Sequence, residues 1–494
     1  MSTEKPAERT IDARFTRGST MRHVVVMTST ATVGLMSLFI VDLANLFYIS
    51  LLGETEMAAA IGYAGTIQFF MISVSIGLAI AATATVSKAV GRGNRAEARH
   101  LAGSAITLLV LALSACALGT WIFRYEVLRL LGADGAALEI AANFLAIVLP
   151  SVPLLGIGMV SSGLLRSVGD AKRAMFVTLF GGIFGAVLDP VFIFDWGFGL
   201  GVEGAAIVSS LSRVFVAGMG LWFALKVHDI IGRPTLSGLL EDARALLAIA
   251  VPAVATQLST PFGNAYLISV VSDFGDAAVA GWAVVGRITA LGFAGLFALS
   301  GAVGPIFGQN LGAGKVDRIL STYRDALIFI ACYVLVIWLA MFLLTDLIAQ
   351  GFGLTGAGVE VLEAYTLFGA ASYLFTGALF VSNSAFNNLG HPTWSTMFNW
   401  SRDAITIPAL AFLIGGSLGA TGAVTIQALS GALVGTLAIL WTRRFLRHMR
   451  AEDRAKADAA IPGPVAAPYS SGRTMAITIG DTDDERLEPE RDNR

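Results

Sequence analysis

Two carboxylates stand inside stretches of the sequence that are otherwise apolar. Asp42 lies in the run of residues 24–52, and Asp189 lies in the run of residues 174–196. An ionised acid at the centre of a bilayer costs at least about 2.5–3.5 kcal/mol, so such acids usually face a water-filled cavity or pair with another group. Desolvation disfavours the charged form of a carboxyl, so a buried acid can take up and release a proton. We therefore predict that both acids bind a cation reversibly, and that Asn45, one turn after Asp42, shares its hydrogen bonding.

A structural role for these acids remains an alternative at this point. Each carboxylate could hydrogen-bond a neighbouring helix or pair with a basic residue such as Arg213. Pro190 directly follows Asp189, and a proline within a helix removes a backbone donor and tends to kink the helix. Protonation of the acid could therefore bias a bend at this position.

The second half of the chain has neutral polar groups, rather than acids, within its apolar runs. We predict that four of them line a cavity and bind substrate: Gln257, Asn264, Asn383 and Asn387. The same side chains could instead hold helices together by hydrogen bonds. Glu363 and Asp403 are expected near helix ends, so the second half has no acid in the middle of a span. We therefore assign cation binding to the first half of the chain.

The composition assigns the chain to the membrane class and excludes several kinds of function. Of its 494 residues, 55% are hydrophobic and 14% are charged, whereas soluble proteins carry about 25% charged residues. The net charge of −2 gives no indication of nucleic-acid binding. Two cysteines within apolar runs and five scattered histidines form no pattern for a disulfide or a metal site, so we expect no metal and no bound cofactor.

Two glycine-rich segments look like nucleotide-binding loops but do not meet the requirements of such loops. Residues 199–204 fit the spacing GxGxxG, yet they lie in a short loop without alternating strands and helices around it. Residues 308–316 are one residue too long for a phosphate-binding loop, and Val316 stands where a serine or threonine would bind magnesium. We therefore expect neither an enzyme nor an ATP-driven pump, but a process driven by an ion gradient or by the substrate's own gradient.

Twelve apolar runs are long enough to cross a bilayer, which takes about 20 residues each. They predict an all-α polytopic membrane protein with twelve transmembrane helices in two pseudosymmetric six-helix bundles. The runs are residues 24–52, 58–89, 101–123, 137–165, 174–196, 204–228, 245–272, 277–311, 319–349, 358–388, 394–414 and 421–446. The corresponding parts of the chain are a cytoplasmic N-terminal tail (1–23), an N-lobe (24–228), a cytoplasmic linker (229–244), a C-lobe (245–448) and a disordered cytoplasmic C-terminal tail (449–494).

An internal repeat relates the two bundles. Gly93 and Gly314 lie in matching glycine-rich turns, as do Gly169 and Gly390, and each pair is 221 positions apart. Six spans return the chain to the side on which it began, so both lobes have one orientation and are related by an axis along the membrane normal. Two such lobes can enclose a cavity that opens to either side by rocking.

The distribution of basic residues predicts the orientation in the membrane. The loops of one side hold most of the basic residues, including Arg92, Arg173 and Arg318, and the loops of the other side hold mainly acids, such as Asp195 and Asp273. Lys and Arg are enriched on the cytoplasmic side of membrane proteins. We therefore expect a multi-pass monomer in the lipid bilayer of a bacterial inner membrane, with both termini in the cytoplasm and a small-molecule substrate.

Four segments resemble the multidrug and toxic compound extrusion (MATE) transporters. Residues 305–318, PIFGQNLGAGKVDR, resemble the exit of that family's eighth span, and residues 164–172, LLRSVGDAK, resemble the loop after its fourth span. Residues 187–206 resemble its fifth-to-sixth span segment, and residues 386–392, FNNLGHP, resemble the partner loop of the second half. The resemblance covers residues 24–448.

The resemblance implies an exporter of cationic, amphipathic compounds that exchanges them for protons or sodium ions. It matches Asp189 to the family's fifth-span acid and Asn45 to its first-span acid, while Asp42 occupies a position where Asn is usual. Thr260 and Thr376 stand where acids of spans seven and ten would be. We therefore expect antiport, with proton more than sodium as the coupling ion. A lipid-precursor flippase or a metabolite exporter of the same fold remains an alternative, and few basic residues in the spans argue against the flippase.

Overall fold

Long apolar helices make up most of the computed structural model, which describes residues 11–50 and 55–460. Among those residues, ten helices are long and apolar enough to cross a membrane, and a pair of helices that meet at a bend of 45° adds an eleventh span. One more span, residues 392–414, completes the twelve, and a π-helical segment, Ser401–Thr406, interrupts it. The architecture is the predicted all-α fold of twelve transmembrane helices in two bundles.

The spans are numbered α1 to α12 in chain order. They are α1 (Thr20–Ser50), α2 (Thr55–Gly91), α3 (Arg95–Ile122), α4 (Gly135–Ser167), α5 (Ala171–Ile193), α6 (Gly201–Val227), α7 (Leu236–Ser272), α8 (Asp276–Gly292 and Ala294–Gly312), α9 (Val316–Leu343), α10 (Ala357–Leu389), α11 (392–414) and α12 (Gly422–Ala460). Short helices follow α3 (Arg124–Leu130) and α9 (Thr345–Gly351), and a single 3₁₀ turn (Arg14–Thr16) precedes α1.

The two halves repeat each other helix by helix. Both α3 and α9 are 28 residues long, and each is followed by a short helix of 7 residues. The repeated turn glycines Gly93 and Gly314 have φ angles of +74° and +66°, and Gly169 and Gly390 have φ angles of +81° and +94°. Glycine adopts this left-handed conformation without a steric penalty, so the sequence repeat marks equivalent helix ends in the two lobes.

The first helix of each lobe begins in the core of the other lobe, at the end of the bundle where the basic loops lie. Val24 and Met27 of α1 pack into the core of the C-lobe, whereas Leu246 and Ala250 of α7 pack into the core of the N-lobe. We name this end of the bundle the basic end, because its loops carry Arg92, Arg173 and Arg318. Each lobe therefore holds the first turns of the helix that begins the other lobe.

The helices extend beyond the boundaries that were drawn from hydrophobicity. α7 begins at Leu236, inside the predicted linker 229–244, and α12 continues to Ala460, inside the predicted tail 449–494. Residues up to Arg450 form one compact unit, and the residues from Ala451 form a separate unit. Residues 1–10 of the predicted N-terminal tail and residues 461–494 of the predicted C-terminal tail lie outside the described residues.

Candidate functional site

Asp189 is buried in the N-lobe, in the last turns of α5, with 2% of its surface exposed. Close contacts join this face of α5 to α1: a Cβ on Gly182 would lie 3.1 Å from Ser37 Oγ, and a Cβ on Gly185 would lie 3.8 Å from Val41. Asp189 follows Gly185 by one helical turn, so it lies on the same face of the helix. The carboxylate is therefore enclosed between α5 and the neighbouring helices of the N-lobe.

α6 places polar groups beside this face of α5. Ser212 Oγ would lie 3.1 Å from a Cβ on Gly185, and this buried hydroxyl has no hydrogen-bond partner among the described residues. The neighbouring Arg213 donates to Gln68 Oε1 at 2.8 Å and to Ser151 Oγ at 3.0 Å. These hydrogen bonds tie α6 to α2 and α4, so Arg213 has a structural role within the N-lobe.

The other two residues of the predicted cation site lie in α1. The backbone at Asp42 and Asn45 is helical, but their side chains lie outside the described residues. Their part in cation binding therefore stays a prediction. α1 and α5 pack against each other along their length, which is compatible with a site shared by these two helices.

Gln257 and Asn264 lie on the side of α7 that faces the N-lobe. Nearer its N-terminus, the same side of α7 is in contact with α2. Gly77 of α2 lies against Val254 and the carbonyl oxygen of Ala250, where a Cβ would not fit. Residues three or four apart share one face of a helix, so this stripe continues through Gln257 and Asn264. Gln257 is half-buried and Asn264 is exposed, and their part in a substrate cavity between the lobes stays a prediction.

Three aromatic rings connect the two lobes. Phe39 of α1 meets Phe297 of α8 edge to face, with ring centroids 6.5 Å apart. Phe297 also packs on Phe380 of α10, at 5.7 Å. We name these rings the aromatic bridge. Such rings attract planar aromatic groups and the cations that such groups often carry.

Asn383 and Asn387 are buried between helices of the C-lobe, with 6% and 5% of their surfaces exposed. Ser395 of α11 donates its hydroxyl to Asn387 Oδ1 at 3.1 Å and to the backbone carbonyl of Asn383 at 3.2 Å. These bonds join α10 to α11. The two asparagines therefore do hold helices together, which was the alternative to substrate binding. Asn383 Oδ1 has no partner among the described residues, and substrate binding by either side chain stays a prediction.

A buried ion pair lies in the middle of α11, where the sequence had indicated a helix end. Arg402 and Asp403, in the π-helical segment, are 8% and 2% exposed. Arg402 donates from Nε and Nη2 to the two carboxylate oxygens of Asp403, at 2.7 and 2.9 Å. Gly263 of α7 leaves room for the pair, since a Cβ there would lie 2.9 Å from Asp403 Oδ1. The expectation that the C-lobe lacks a mid-span acid was therefore wrong.

A further charge, Arg287, lies within α8 and is exposed. The opposite side of α8 packs on α10, where Thr289 and Tyr365 share a hydrogen bond of 2.6 Å and Gly281 approaches Gly358. A charged residue within a span almost always faces the bundle interior or a water-filled cavity rather than lipid. We therefore expect Arg287 to face the space between the lobes rather than lipid.

The lobes are in direct contact at the basic end. A Cβ on Gly308 of α8 would lie 1.9 Å from Ser87 Oγ of α2, and a Cβ on Gly312 would lie 2.0 Å from the carbonyl oxygen of Lys88. Only glycine permits helices to approach so closely. α2 and α8 therefore close the space between the lobes at the basic end.

The segment before α1 adds hydrogen bonds to this closure. Gln309 Oε1 accepts from the backbone N–H of Phe15 at 2.9 Å, and Gln309 Nε2 donates to the carbonyl of Ser167 at 2.7 Å. Arg318 donates to the carbonyls of Phe15 and Gly18 at 2.8 and 2.9 Å. Gln309 of α8 thus bridges the chain before α1 and the end of α4, and Arg318 of α9 holds the same segment.

A protein-family model described as MatE matches residues 31–191 and again residues 252–412. The two matches together cover more than half of the chain, one in each lobe. Within the spans, the first match contains the buried acid Asp189, and the second contains the buried acids Asp325 and Asp403.

Curated relatives match along most of their length. A FAD transporter of Shewanella oneidensis is 26% identical over 85% of this chain and 93% of the relative. The multidrug export protein MepA of Staphylococcus aureus is 23% identical over 83% of this chain and 90% of the relative. A solved structure described as the outward-facing conformation of a multidrug resistance MATE family transporter has a TM-score of 0.84 at 22% identity, and the match covers 90% of this chain and 100% of that one.

Proposed function

We propose that this chain, which belongs to the MatE family of multidrug and toxic compound extrusion transporters, exports amphipathic small molecules in exchange for protons. The observation that carries the proposal is the buried carboxylate of Asp189 in a two-lobed bundle that is closed at one end. Multi-pass membrane transport is the activity of the family. The exchange mechanism, the ion and the substrate class are our inferences.

The space between the lobes supports an aromatic, amphipathic substrate. Phe297 of the aromatic bridge is 36% exposed, so its ring offers a surface for stacking. Gln257 and Asn264 on α7 add neutral hydrogen-bonding groups above it. A cavity that is mostly apolar with a few polar groups is typical of small-molecule sites, and aromatic faces also attract cations.

The surroundings of Asp189 support coupling to a proton. One proton neutralises a carboxylate without any further ligand, so a single proton suffices to remove the charge from this face of α5. A sodium ion would need several oxygen ligands around it. Asp42 and Asn45 remain the predicted partners of Asp189.

The closed basic end supports alternating access. Basic loops favour the cytoplasmic side, so we place both termini in the cytoplasm and the protein in a bacterial plasma membrane. In this state the substrate and a proton would exchange from the outer side. Proton binding at Asp189 would favour substrate release, and opening of the α2–α8 contact would then expose the cavity to the cytoplasm by a rocking movement of the lobes.

The test of the coupling role uses vesicles that contain the purified protein and are loaded with a fluorescent planar aromatic cation. An acid-outside pH gradient should drive efflux by the wild type, and Asp189→Asn should abolish the gradient-driven component while the protein still inserts. Asp195→Asn, which changes an exposed acid in the following loop, is the matched control and should retain it. Full pH-driven efflux by Asp189→Asn would remove this residue from the coupling mechanism.

A second candidate substrate class is an aromatic compound with a phosphate group. Arg287 favours it, because an exposed guanidinium in the space between the lobes would bind an anionic group next to the aromatic bridge. The relative named as a FAD transporter supports the same class. Flavin adenine dinucleotide uptake by inverted vesicles would test it: Arg287→Gln should lower uptake of the dinucleotide more than uptake of the aromatic cation, and equal effects would exclude it.

A further inference from the structure

A cavity of about 840 Å³ opens at the basic end, between the turn that joins α2 to α3 and the linker that follows α6. We name it the basic pocket. The charged and titratable side chains of its lining are Arg92, Arg95, Arg99, His100, Asp229 and Arg233. Four arginines in the lining therefore face one carboxylate. An excess of this kind around one concave surface favours an anionic ligand.

The arginines of the basic pocket keep donors that their protein partners do not use. Asp229 Oδ2 accepts from Arg95 Nη2 at 3.3 Å and also pairs with Arg99. The side chains of Arg95 and Arg99 are 25% and 37% exposed, and Arg233 is exposed. Arg95 Nη2 also donates to the carbonyl of His228 at 3.1 Å, and Arg92 pairs with Glu97. Because a guanidinium has five N–H donors, these contacts leave donors of all three arginines available.

We propose that the basic pocket binds a phosphate-bearing anion. The planar guanidinium matches two oxygens of a phosphate at once, and several arginines can surround one group. The cavity is larger than a single phosphate requires, so a diphosphate or a lipid head group would fit. The pocket lies where α2 ends and α3 begins, and a basic cluster immediately beside membrane spans attracts the head groups of anionic lipids.

The anion competes with Asp229 for Arg95 and Arg99. Asp229 has a φ angle of +48°, and next to it the backbone N–H of Gly232 donates to the carbonyl of Arg99 at 2.8 Å. These contacts hold the linker against the start of α3. The linker leads directly into α7, so an anion in the pocket loosens the connection between the N-lobe and the first helix of the C-lobe.

The test measures anion binding to the purified full-length protein, which requires no transport. The thermal unfolding of the protein in a neutral detergent is followed with inorganic pyrophosphate in one arm and with a short-chain phosphatidylglycerol in the other. A phosphatidylcholine of the same chain length is the lipid control. A ligand that binds the folded state raises the unfolding temperature with its concentration. A response to pyrophosphate alone identifies a soluble ligand, a response to phosphatidylglycerol identifies a lipid site, and no response in either arm overturns the proposal.

Variants separate the pocket from the general charge of the basic end. Arg95→Gln with Arg99→Gln should weaken binding by about tenfold or more, because charge-assisted hydrogen bonds to the anion are lost. Arg444→Gln with Arg447→Gln removes the same charge from exposed positions of α12 and should leave the affinity unchanged. An equal loss in the two double variants would show non-specific attraction and would overturn the proposal.

Two single variants keep the proposal testable if the Arg95 and Arg99 double variant does not fold. Asp229→Asn removes the competing carboxylate and should tighten binding several-fold. Arg233→Gln changes an exposed residue of the pocket lining and should weaken binding several-fold while the Asp229 contacts remain. If neither variant changes the affinity for the anion, the binding lies elsewhere and the proposal is wrong.

Discussion

The side-chain amide of Gln309 in α8 donates to the backbone carbonyl of Ser167 at the end of α4, over 2.7 Å. This bond joins the C-lobe to the N-lobe at the basic end, and the same amide accepts from the N–H of Phe15. All three residues are buried, so water does not compete for these hydrogen bonds while the basic end is closed. Opening of the basic end therefore has to break this connection.

Gln309→Leu should shift the protein toward a state that is open at the basic end. Leucine has a similar size but cannot bind Phe15 or Ser167, so the closed state loses two hydrogen bonds. The reporter is a cysteine at Ser87, which is fully buried against Gly308, in a background where Cys116 and Cys332 are replaced by alanine. Its labelling by a maleimide should become several-fold faster. Gln350→Leu, at an exposed position, is the control, and equal labelling rates in both variants would contradict this role of Gln309.

Gly308→Val should prevent closure of the basic end. Its Cβ would overlap Ser87 Oγ, so α2 and α8 must move apart. We expect loss of gradient-driven efflux in vesicles with normal insertion of the protein. Gly301→Val is the matched control, because a Cβ on this exposed glycine of the same helix meets no atom within 4 Å. Normal efflux by Gly308→Val would show that the contact does not limit the transport cycle.

Arg402→Met should destabilise the protein strongly, because it leaves the carboxylate of Asp403 buried without its ion-pair partner. Removal of one member of a buried pair typically costs about 3–5 kcal/mol, whereas replacement of both members by apolar residues costs much less. The double variant Arg402→Met with Asp403→Leu should therefore unfold at a higher temperature than Arg402→Met alone. Additive losses in a double-mutant cycle would mean that the two side chains act independently.

Asp170 should stabilise the fold over an unusually wide pH range. Burial alone would raise the pKa of its carboxyl, but hydrogen bonds from His228 and Arg173, together with the charge of Arg173, hold the pKa below its ordinary value. A carboxylate with a lowered pKa contributes its full stability above the ordinary pKa of about 4, and loses it only as the pH falls through the lower value of the folded state.

Asp170→Asn tests this pH dependence. The variant should lower the stability by about 1 kcal/mol or more, since it removes the charge that pairs with Arg173 and His228, while asparagine can still cap α5. The difference from the wild type in unfolding temperature should be the same at pH 7.0, 5.5 and 4.5. A difference that disappears between pH 7.0 and 5.5 would mean that a group other than this carboxyl controls the contact.

The architecture follows from local features of the sequence. A run of about 20 apolar residues is enough to predict a span, and the glycine turns at Gly169 and Gly390 are enough to align the two halves. Asp189 could also be identified from the sequence, because an acid within an apolar run is rare. Arg287 gives the same kind of signal, and a search of the runs for basic as well as acidic residues would have found it.

The ion pair in α11 and the closure of the basic end depend on tertiary contacts that are not visible in the sequence. Two adjacent charges lower the local hydrophobicity, so Asp403 looked like a helix end. Its burial requires both the π-helical segment and the absence of a side chain at Gly263. The bond between Phe15 and Gln309 joins residues that are 294 positions apart, and no local pattern predicts it.

The most direct test of proton-coupled export compares two gradients across vesicles that contain the wild-type protein and a fluorescent planar aromatic cation. An acid-outside pH gradient without sodium should drive efflux of the cation well above its passive leak. An inward sodium gradient at uniform pH should leave efflux at the leak rate. Efflux that follows the sodium gradient and ignores the pH gradient would contradict the central claim.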